Sequence, residues 1–259
     1  MFSDVHAHAY RVPPEDLDGV VKRMGRMNVK IALIAGVDYE TSVKTVKIAQ
    51  RYEPLYACVG VHPWYSNTLT DDVCEKLLGL AKEKKVVAMS EIGIDYVYHR
   101  DNVYSLSFVK GYLPKEVQSR ALANEIKIAK EVKIPLVIHE NRSHPDILEI
   151  LRTEGAAQVG GVIHGFIGDM STAEKYLDMG FYISVGKRAI WDVAFDPVRA
   201  PLLRSVIEQV PMDKLLIETD TAEPADVWEV AGKVAELRGI DTAKIGDITT
   251  GNIQRLFKL

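Results

Sequence analysis

Cysteine is scarce in this chain: Cys58 and Cys74 are the two it has, and they form no CxxC arrangement. Two such residues cannot build a disulfide framework, so they read as packing residues of a protein suited to a reducing cytoplasm. Long apolar runs are missing as well. None approaches the roughly 18 residues that a membrane span requires, and Met1 leads straight into an alternating, strand-like stretch, which reads as a chain without a secretory leader. Excess positive charge is also lacking. A formal net charge of −4 argues against a broad cationic surface for duplex phosphates and leaves room for a compact nucleic-acid site charged by bound metal. Repeats, low-complexity tracts and Pro/Gly-rich linkers are absent, so residues 1–259 are expected to form one domain.

Strand-like and helix-like segments alternate along the whole length. Apolar, β-rich runs occur at 2–6, 29–35, 55–60, 86–91, 135–139, 159–164, 181–185 and 215–219. Helical spacing occupies 17–27, 41–52, 71–83, 115–133, 145–154, 171–179 and 197–209. Nearly continuous apolar strands point to a parallel sheet covered on both faces. The expected fold is therefore α/β, a TIM (β/α)₈ barrel, which takes about 250 residues; an open doubly wound sheet is the runner-up. Two more helices, 225–238 and 242–259, follow the eighth strand, and the extra C-terminal helix is expected to close the barrel. The stretch 96–114 exceeds an ordinary barrel loop. With Tyr96, Tyr98, Tyr104, Arg100 and Lys110 it is expected to act as a substrate lid.

The polar residues at the strand ends carry the chemistry. In Asp4-Val-His6-Ala-His8, alternation puts all three polar side chains on one side of a strand, with Asp4 placed to fix an imidazole tautomer. Glu91, His139, His164 and Asp220 each follow an apolar run. Each alone has an ordinary explanation as a core histidine, a cap or a solvated loop residue. Together they require coincidences at five strand ends, and a barrel gathers those ends at one face, so a metal site is the better account. The counts suggest two divalent ions: His6, His8 and Asp220 around one, His139 and His164 around the other, and Glu91 with its two oxygens shared. Imidazole and carboxylate without thiolate suit Zn²⁺, Mn²⁺ or Mg²⁺. A two-metal-activated water then makes hydrolysis the natural chemistry, with Glu91 and Asp220 as catalytic carboxylates and Asp220 a candidate proton acceptor.

The same residues resemble the TatD-like metal-dependent hydrolases, or TatD DNases, of the amidohydrolase superfamily. The matching pieces are Asp4-Val-His6-Ala-His8, Gly60-Val-His62-Pro63, Glu91-Ile-Gly93-Ile-Asp95, Pro135-Leu-Val-Ile-His139, His164-Gly-Phe166, Glu218-Thr-Asp220 and Thr250-Gly-Asn252-Ile-Gln-Arg-Leu-Phe257. They run nearly end to end. The resemblance implies that His6, His8, Glu91, His139, His164 and Asp220 are metal ligands and that His62 lies near the substrate phosphate. It also implies metal-dependent phosphodiester hydrolysis, typically of DNA, with a 3′→5′ exonuclease activity described for some members. The expected substrate is thus DNA or a small phosphodiester. Asn141 stands where the family usually has Arg, with Arg142 one position later; Gly165-Phe166-Ile167-Gly168 replaces the common Cys-Phe-Ser-Gly; and the proline after Asp220 is delayed to Pro224. These departures spare the ligands and alter substrate-facing loops.

Aromatics in or near strand-end loops could stack on bases: Trp64, Tyr65, Tyr96, Tyr98, Phe166 and Trp191. Arg142, Lys187 and Arg188 could meet phosphates, while His99 and His144 read as surface histidines. Three rival readings stay open. The activated water could attack an ester, lactone or amide carbonyl, although relatives of that kind often bridge their metals with a modified lysine at the end of strand four, where this chain has Glu91, with Lys84 and Lys85 at the strand's start. A polymerase-and-histidinol-phosphatase-type phosphoesterase also begins with His-x-His. A metal-stabilised binding protein without turnover is the third.

Overall fold

The structure, a computed structural model, describes residues 1–96 and 113–259. Eight strands, β1 (Phe2–Ala7), β2 (Val29–Ala35), β3 (Leu55–Val59), β4 (Val86–Asp95), β5 (Leu136–Asn141), β6 (Gly161–Ile163), β7 (Tyr182–Val185) and β8 (Leu215–Ile217), lie side by side in chain order. Each neighbouring pair is parallel. Between them run α1 (Leu17–Arg26), α2 (Tyr39–Arg51), α3 (Asp71–Leu80), α4 (Lys115–Val132), α5 (His144–Thr153), α6 (Met170–Asp178), α7 (Lys187–Phe195) and α8 (Ala200–Gln209), and α9 (Val227–Arg238) and α10 (Thr242–Phe257) follow β8. This is the (β/α)₈ barrel, nearly closed, with the expected C-terminal helix.

Strand alternation sorts the apolar side chains into two layers. Leu33, Cys58, Ala88, Val137, Val162 and Leu216 pack together with Ile253 and Phe257 of α10, so α10 seals one end of the barrel interior. Ile34, Ile92, Ile138 and Ile183 meet Leu122, Ile147 and Val206 of the surrounding helices in the larger outer layer. Gly246 lets α10 sit flush: a Cβ there would stand 2.3 Å from the Met1 carbonyl oxygen. Side-chain caps fix where helices begin. Asp38 and Thr41 form a reciprocal capping box on α2, and Asp169 accepts from Thr172 N–H on α6.

The seam between β8 and β1 is closed by polar groups. Asp220 N–H donates to the His6 carbonyl at 2.9 Å and His8 N–H to the Thr221 carbonyl at 2.7 Å. The Asp4 carboxylate accepts from His6 N–H, Thr219 N–H and the Thr219 hydroxyl. Asp4 thus ties the first strand to the last and does not fix the His6 tautomer, as strand spacing alone suggested.

Two further expectations change, and a third falls outside the described residues. The fourth strand continues past Glu91 to Asp95, because Ile92 and Ile94 keep burying apolar surface beyond the carboxylate. Residues 187–195 form helix α7 where a loop was expected. The stretch proposed as a lid falls largely on residues 97–112, with Tyr98, His99, Arg100, Tyr104 and Lys110, and so lies outside the described residues. Tyr96, just before it, donates its hydroxyl to Asp146 of α5 at 2.7 Å. Among the described residues no helix is long and apolar enough to cross a membrane.

Candidate metal centre

All six expected ligands meet around Glu91. One of its oxygens, Oε2, lies 3.5 Å from both His6 Nε2 and His8 Nε2. The other, Oε1, lies 3.0 Å from His139 Nδ1 and 3.1 Å from His164 Nε2. Asp220 completes the first side, its Oδ1 3.1 Å from His8 Nε2 and 3.8 Å from His6 Nε2. The residue sits just beyond β8 in the left-handed region, at φ 55°, a conformation that Asp tolerates better than most side chains. Its side chain is half exposed, whereas His6, His8, Glu91 and His164 are buried. The centre therefore opens to solvent beside Asp220.

Hydrogen bonds on the far side of each ring set the tautomers. His139 Nε2 meets Asp95 Oδ2 at 3.2 Å, His164 Nδ1 meets Glu218 Oε1 at 3.2 Å, and His8 Nδ1 meets the Ala35 carbonyl at 3.1 Å. These partners only accept, so each of those nitrogens carries the proton and leaves a lone pair on the nitrogen facing Glu91. His139 Nδ1 and His164 Nε2 then face each other across 3.2 Å, both beside the same Glu91 oxygen. Three acceptors so close repel one another unless a cation lies among them. On the other side His6 Nε2 is buried without a hydrogen-bond partner among the described residues. The donor set fits divalent cations.

Protons compete for the same place. Burial opposes a proton on His139, yet its hydrogen bonds to Asp95 and Glu91 prevail and push it up to about 9. For His164 burial is likewise outweighed, chiefly by Glu218, and its pKa rises well above the usual value. Burial would raise Glu91, but the potential of His62 and His6 and the hydrogen bonds from His139 and His164 hold it well below the carboxylate range. Asp220 is lowered to about 2 because the His8 hydrogen bond and the charges of His8 and His6 overcome desolvation.

Among the described residues, ligand-type atoms within 4.8 Å of one another occur in three groups: His6, Glu91 and His164; His6, His8 and Asp220; and His62, Asp95 and His139. The third differs in chemistry. His62 Nδ1 accepts from Trp64 N–H at 3.2 Å, so its Nε2 carries the proton and points toward Glu91 Oε1, 3.7 Å away. Burial, then the nearby His139, drives His62 down to about 3, which keeps the ring neutral. It is a hydrogen-bond donor facing the centre.

Asp95 and Glu218 were present in the sequence motifs without an assigned role. Asp95 also accepts from Trp64 Nε1 at 3.0 Å, and Glu218 is fully buried. The signal for Asp95 was the two-residue period, which puts it on the strand face of Glu91, whereas Glu218 lies just past the end of β8. Gly93, between Glu91 and Asp95, has φ 153°, and a Cβ there would come 1.9 Å from the His139 carbonyl oxygen. Glycine lets β4 lie tight against β5 at the centre.

Two of the expected substrate contacts, Phe166 and Lys187, are engaged elsewhere. Phe166 is buried, 2 % exposed, with its ring 5.5 Å from His144 and 6.4 Å from Tyr176, so it offers no face to a ligand. His144 is part-buried and meets Glu140 Oε2 at 3.0 Å. Lys187 is held by Asp226 at 2.7 Å and Glu229 at 3.4 Å. Trp64 packs edge-on against His62, 4.6 Å between centroids, and Arg142 is exposed just past Asn141. Lys85, at the start of β4, donates to the Tyr52 and Glu53 carbonyls, away from the centre.

Comparison with known proteins agrees with this geometry. The family described as TatD related DNase matches residues 3–258. An uncharacterized metal-dependent hydrolase of Bacillus subtilis, YabD, is 32% identical over 272 residues, covering 100% of both chains. A Citrobacter koseri protein described as the 3′-5′ ssDNA/RNA exonuclease TatD is 28% identical, over 94% of this chain and 93% of its own length. Among solved structures, the TatD homologue YjjV of Escherichia coli superposes with a TM-score of 0.84 at 27% identity, over 100% of this chain and 98% of that one.

Proposed function

Because the chain belongs to the TatD-related DNase family of metal-dependent hydrolases, we propose that it cleaves phosphodiester bonds in DNA or a related single-stranded nucleic acid, with two divalent ions at the centre. His6, His8 and Asp220 would hold one ion, His139 and His164 the other, with Glu91 across both. The observation that carries this reading is the split of the Glu91 carboxylate, one oxygen toward each histidine group. Bound there, divalent ions supply Lewis acidity toward a phosphoryl oxygen and lower the pKa of water toward neutrality. Imidazole and carboxylate donors suit Zn²⁺, Mn²⁺ or Mg²⁺.

The protein's own groups divide the remaining work. His62, neutral and protonated at Nε2, donates to a phosphoryl oxygen and leaves metal binding to the others. Trp64 fixes its ring by donating N–H to Nδ1. Asp220, ionised and half exposed at the mouth, accepts a proton from the incoming water. Arg142 meets a neighbouring phosphate from the rim. The Citrobacter relative's description supports a single-stranded substrate. Cys58 and Cys74, both free, suit a reducing cytoplasm.

Release of nucleotides from single-stranded DNA, beside hydrolysis of ester and lactone substrates, with Mg²⁺, Mn²⁺ or Zn²⁺ tests the reading. Phosphodiester cleavage should require metal and dominate. Glu91→Gln should bind fewer ions and lose at least about 100-fold in turnover. Preferred hydrolysis of a carbonyl substrate, or full metal stoichiometry with retained activity in Glu91→Gln, would overturn it.

A further inference from the structure

Arg11 stands at the mouth of the centre on the β1 side. Beyond His8 the chain makes a single 3₁₀ turn, Ala9–Arg11, in which Arg11 N–H donates to the His8 carbonyl at 2.9 Å. Because β1 ends on the face where the strand ends gather, this turn rises directly from the metal centre. Tyr10 is buried and sets its ring edge-on to the His8 ring, 5.7 Å between centroids. Lys44 of α2 donates to the Tyr10 carbonyl at 2.5 Å and fixes the turn from outside. The Arg11 guanidinium lies 5.7 Å from the centre of the Tyr10 ring and donates to its hydroxyl. Imidazole, phenol and guanidinium thus form one line of contacts, from the buried His8 out to the exposed Arg11.

Charge decides what meets this guanidinium. Burial works against its proton, but the Tyr10 hydroxyl and then Asp220 and Glu91 strengthen it, so both ligand carboxylates lie within its field. Asp38 faces the same space: it acts on Tyr10 and on Tyr65, while its carboxylate caps α2. These three carboxylates against Arg11 and Lys44 leave the protein's own groups close to neutral. Two divalent ions on Glu91 and Asp220 would turn the mouth strongly positive and suit it to a polyanion. A guanidinium presents five N–H donors as a planar fork that matches phosphate, more than one phenol oxygen can use. Arg11 stands one ring further out than His8, on the side of the barrel opposite Arg142, which follows β5. We propose that Arg11 binds the phosphate next to the one being cleaved, with Tyr10 as the residue that positions it, so that the site favours substrates carrying more than one phosphate. The inference rests on the nucleic-acid reading above.

The test compares the metal-loaded parent with Arg11→Ala on a thymidine dinucleotide, which has one phosphate, and on a thymidine trinucleotide, which has two. The ratio of kcat/KM for the trinucleotide over the dinucleotide should fall about tenfold in the variant and the loss should sit in KM, as expected for one charge-assisted contact to a group that does not react. Calorimetry gives a readout apart from turnover. The parent should bind thymidine 3′,5′-bisphosphate about tenfold tighter than thymidine 5′-monophosphate, and Arg11→Ala should lose that preference. Arg11→Lys, a point charge without the fork, should keep part of it. Tyr10→Phe retains the ring against His8 and removes the hydroxyl; it should lower the kinetic ratio about threefold in the parent and not at all in the Arg11→Ala background. An unchanged ratio and an unchanged preference in Arg11→Ala overturn the proposal and leave the nucleic-acid reading intact. Equal losses on both nucleotides with fewer bound ions make Arg11 a support for the ligand carboxylates and overturn it too. A parent that cleaves neither nucleotide and hydrolyses an ester instead overturns both readings.

Discussion

His8, His139 and His164 are each oriented by an atom that sequence order would not single out. Asp95 is the clearest case, because it holds His139 while itself gripped by Trp64. Asp95→Asn should leave the fold intact by circular dichroism, weaken one metal ion in calorimetric titration and reduce turnover about 10–100-fold, the usual cost of losing an orienting carboxylate. Unaltered metal affinity and turnover would show that the His139 ring is held by packing alone. The six residues proposed as ligands were legible as one cluster because they repeat one pattern, a polar donor where an apolar run stops. Phe166 was misjudged because Gly165, at φ 54°, turns the chain so that the ring goes back into the core, and a sequence does not show which way a chain leaves such a turn.

Among the elements, α7 was hidden by its own exposure. Amphipathic periodicity is read from buried residues, and here Trp191 and Phe195 face solvent while Ala189 and Val193 supply the small buried side. The strands were easier, because apolar runs buried on both faces need no phase. Helix α4 carries a further feature, the fully buried Glu125, which accepts from Val61 N–H at 2.7 Å and so anchors the segment leading to His62. Burial raises its carboxyl well above the usual value, so the folded protein keeps a proton that the unfolded chain releases above about pH 4.3. Its contribution to stability is therefore present at acid pH and declines as pH rises from there toward the raised folded-state value. Glu125→Gln keeps the oxygen acceptor and removes the titration. The variant should melt higher than the parent at pH 7, by about 2–4 °C for each kcal/mol gained, with the gap closing near pH 4. A lower melting temperature at pH 7 would mean that the carboxylate is ionised in the fold.

For the whole molecule, the barrel was legible from eight alternations of strand and helix, while its closure was not. The seam depends on Asp4 reaching Thr219 and on Asp220 reaching His6, pairs with no mark in local pattern. The first group of proposed ligands lies across that seam, so an ion bound there would couple to global stability. Divalent metal at about 100 times its dissociation constant should stabilise the fold by about 2.7 kcal/mol, and a chelator should lower the calorimetric melting temperature by about 5–10 °C. Identical melting with and without chelator would place the ions on an already rigid barrel.

That seam also sets a time at which the protein can begin to act. His8 and Asp220 stand 212 positions apart in the sequence. A ribosome delivers the histidine pair with the first strand and the closing aspartate only after all eight strands have been made, and domains acquire structure from the N-terminal side as they emerge. A chain abandoned before its eighth strand therefore carries most of the donors but cannot complete the centre. Completion of the centre therefore waits for the eighth strand, and copies halted before it lack the aspartate that the first histidine pair needs.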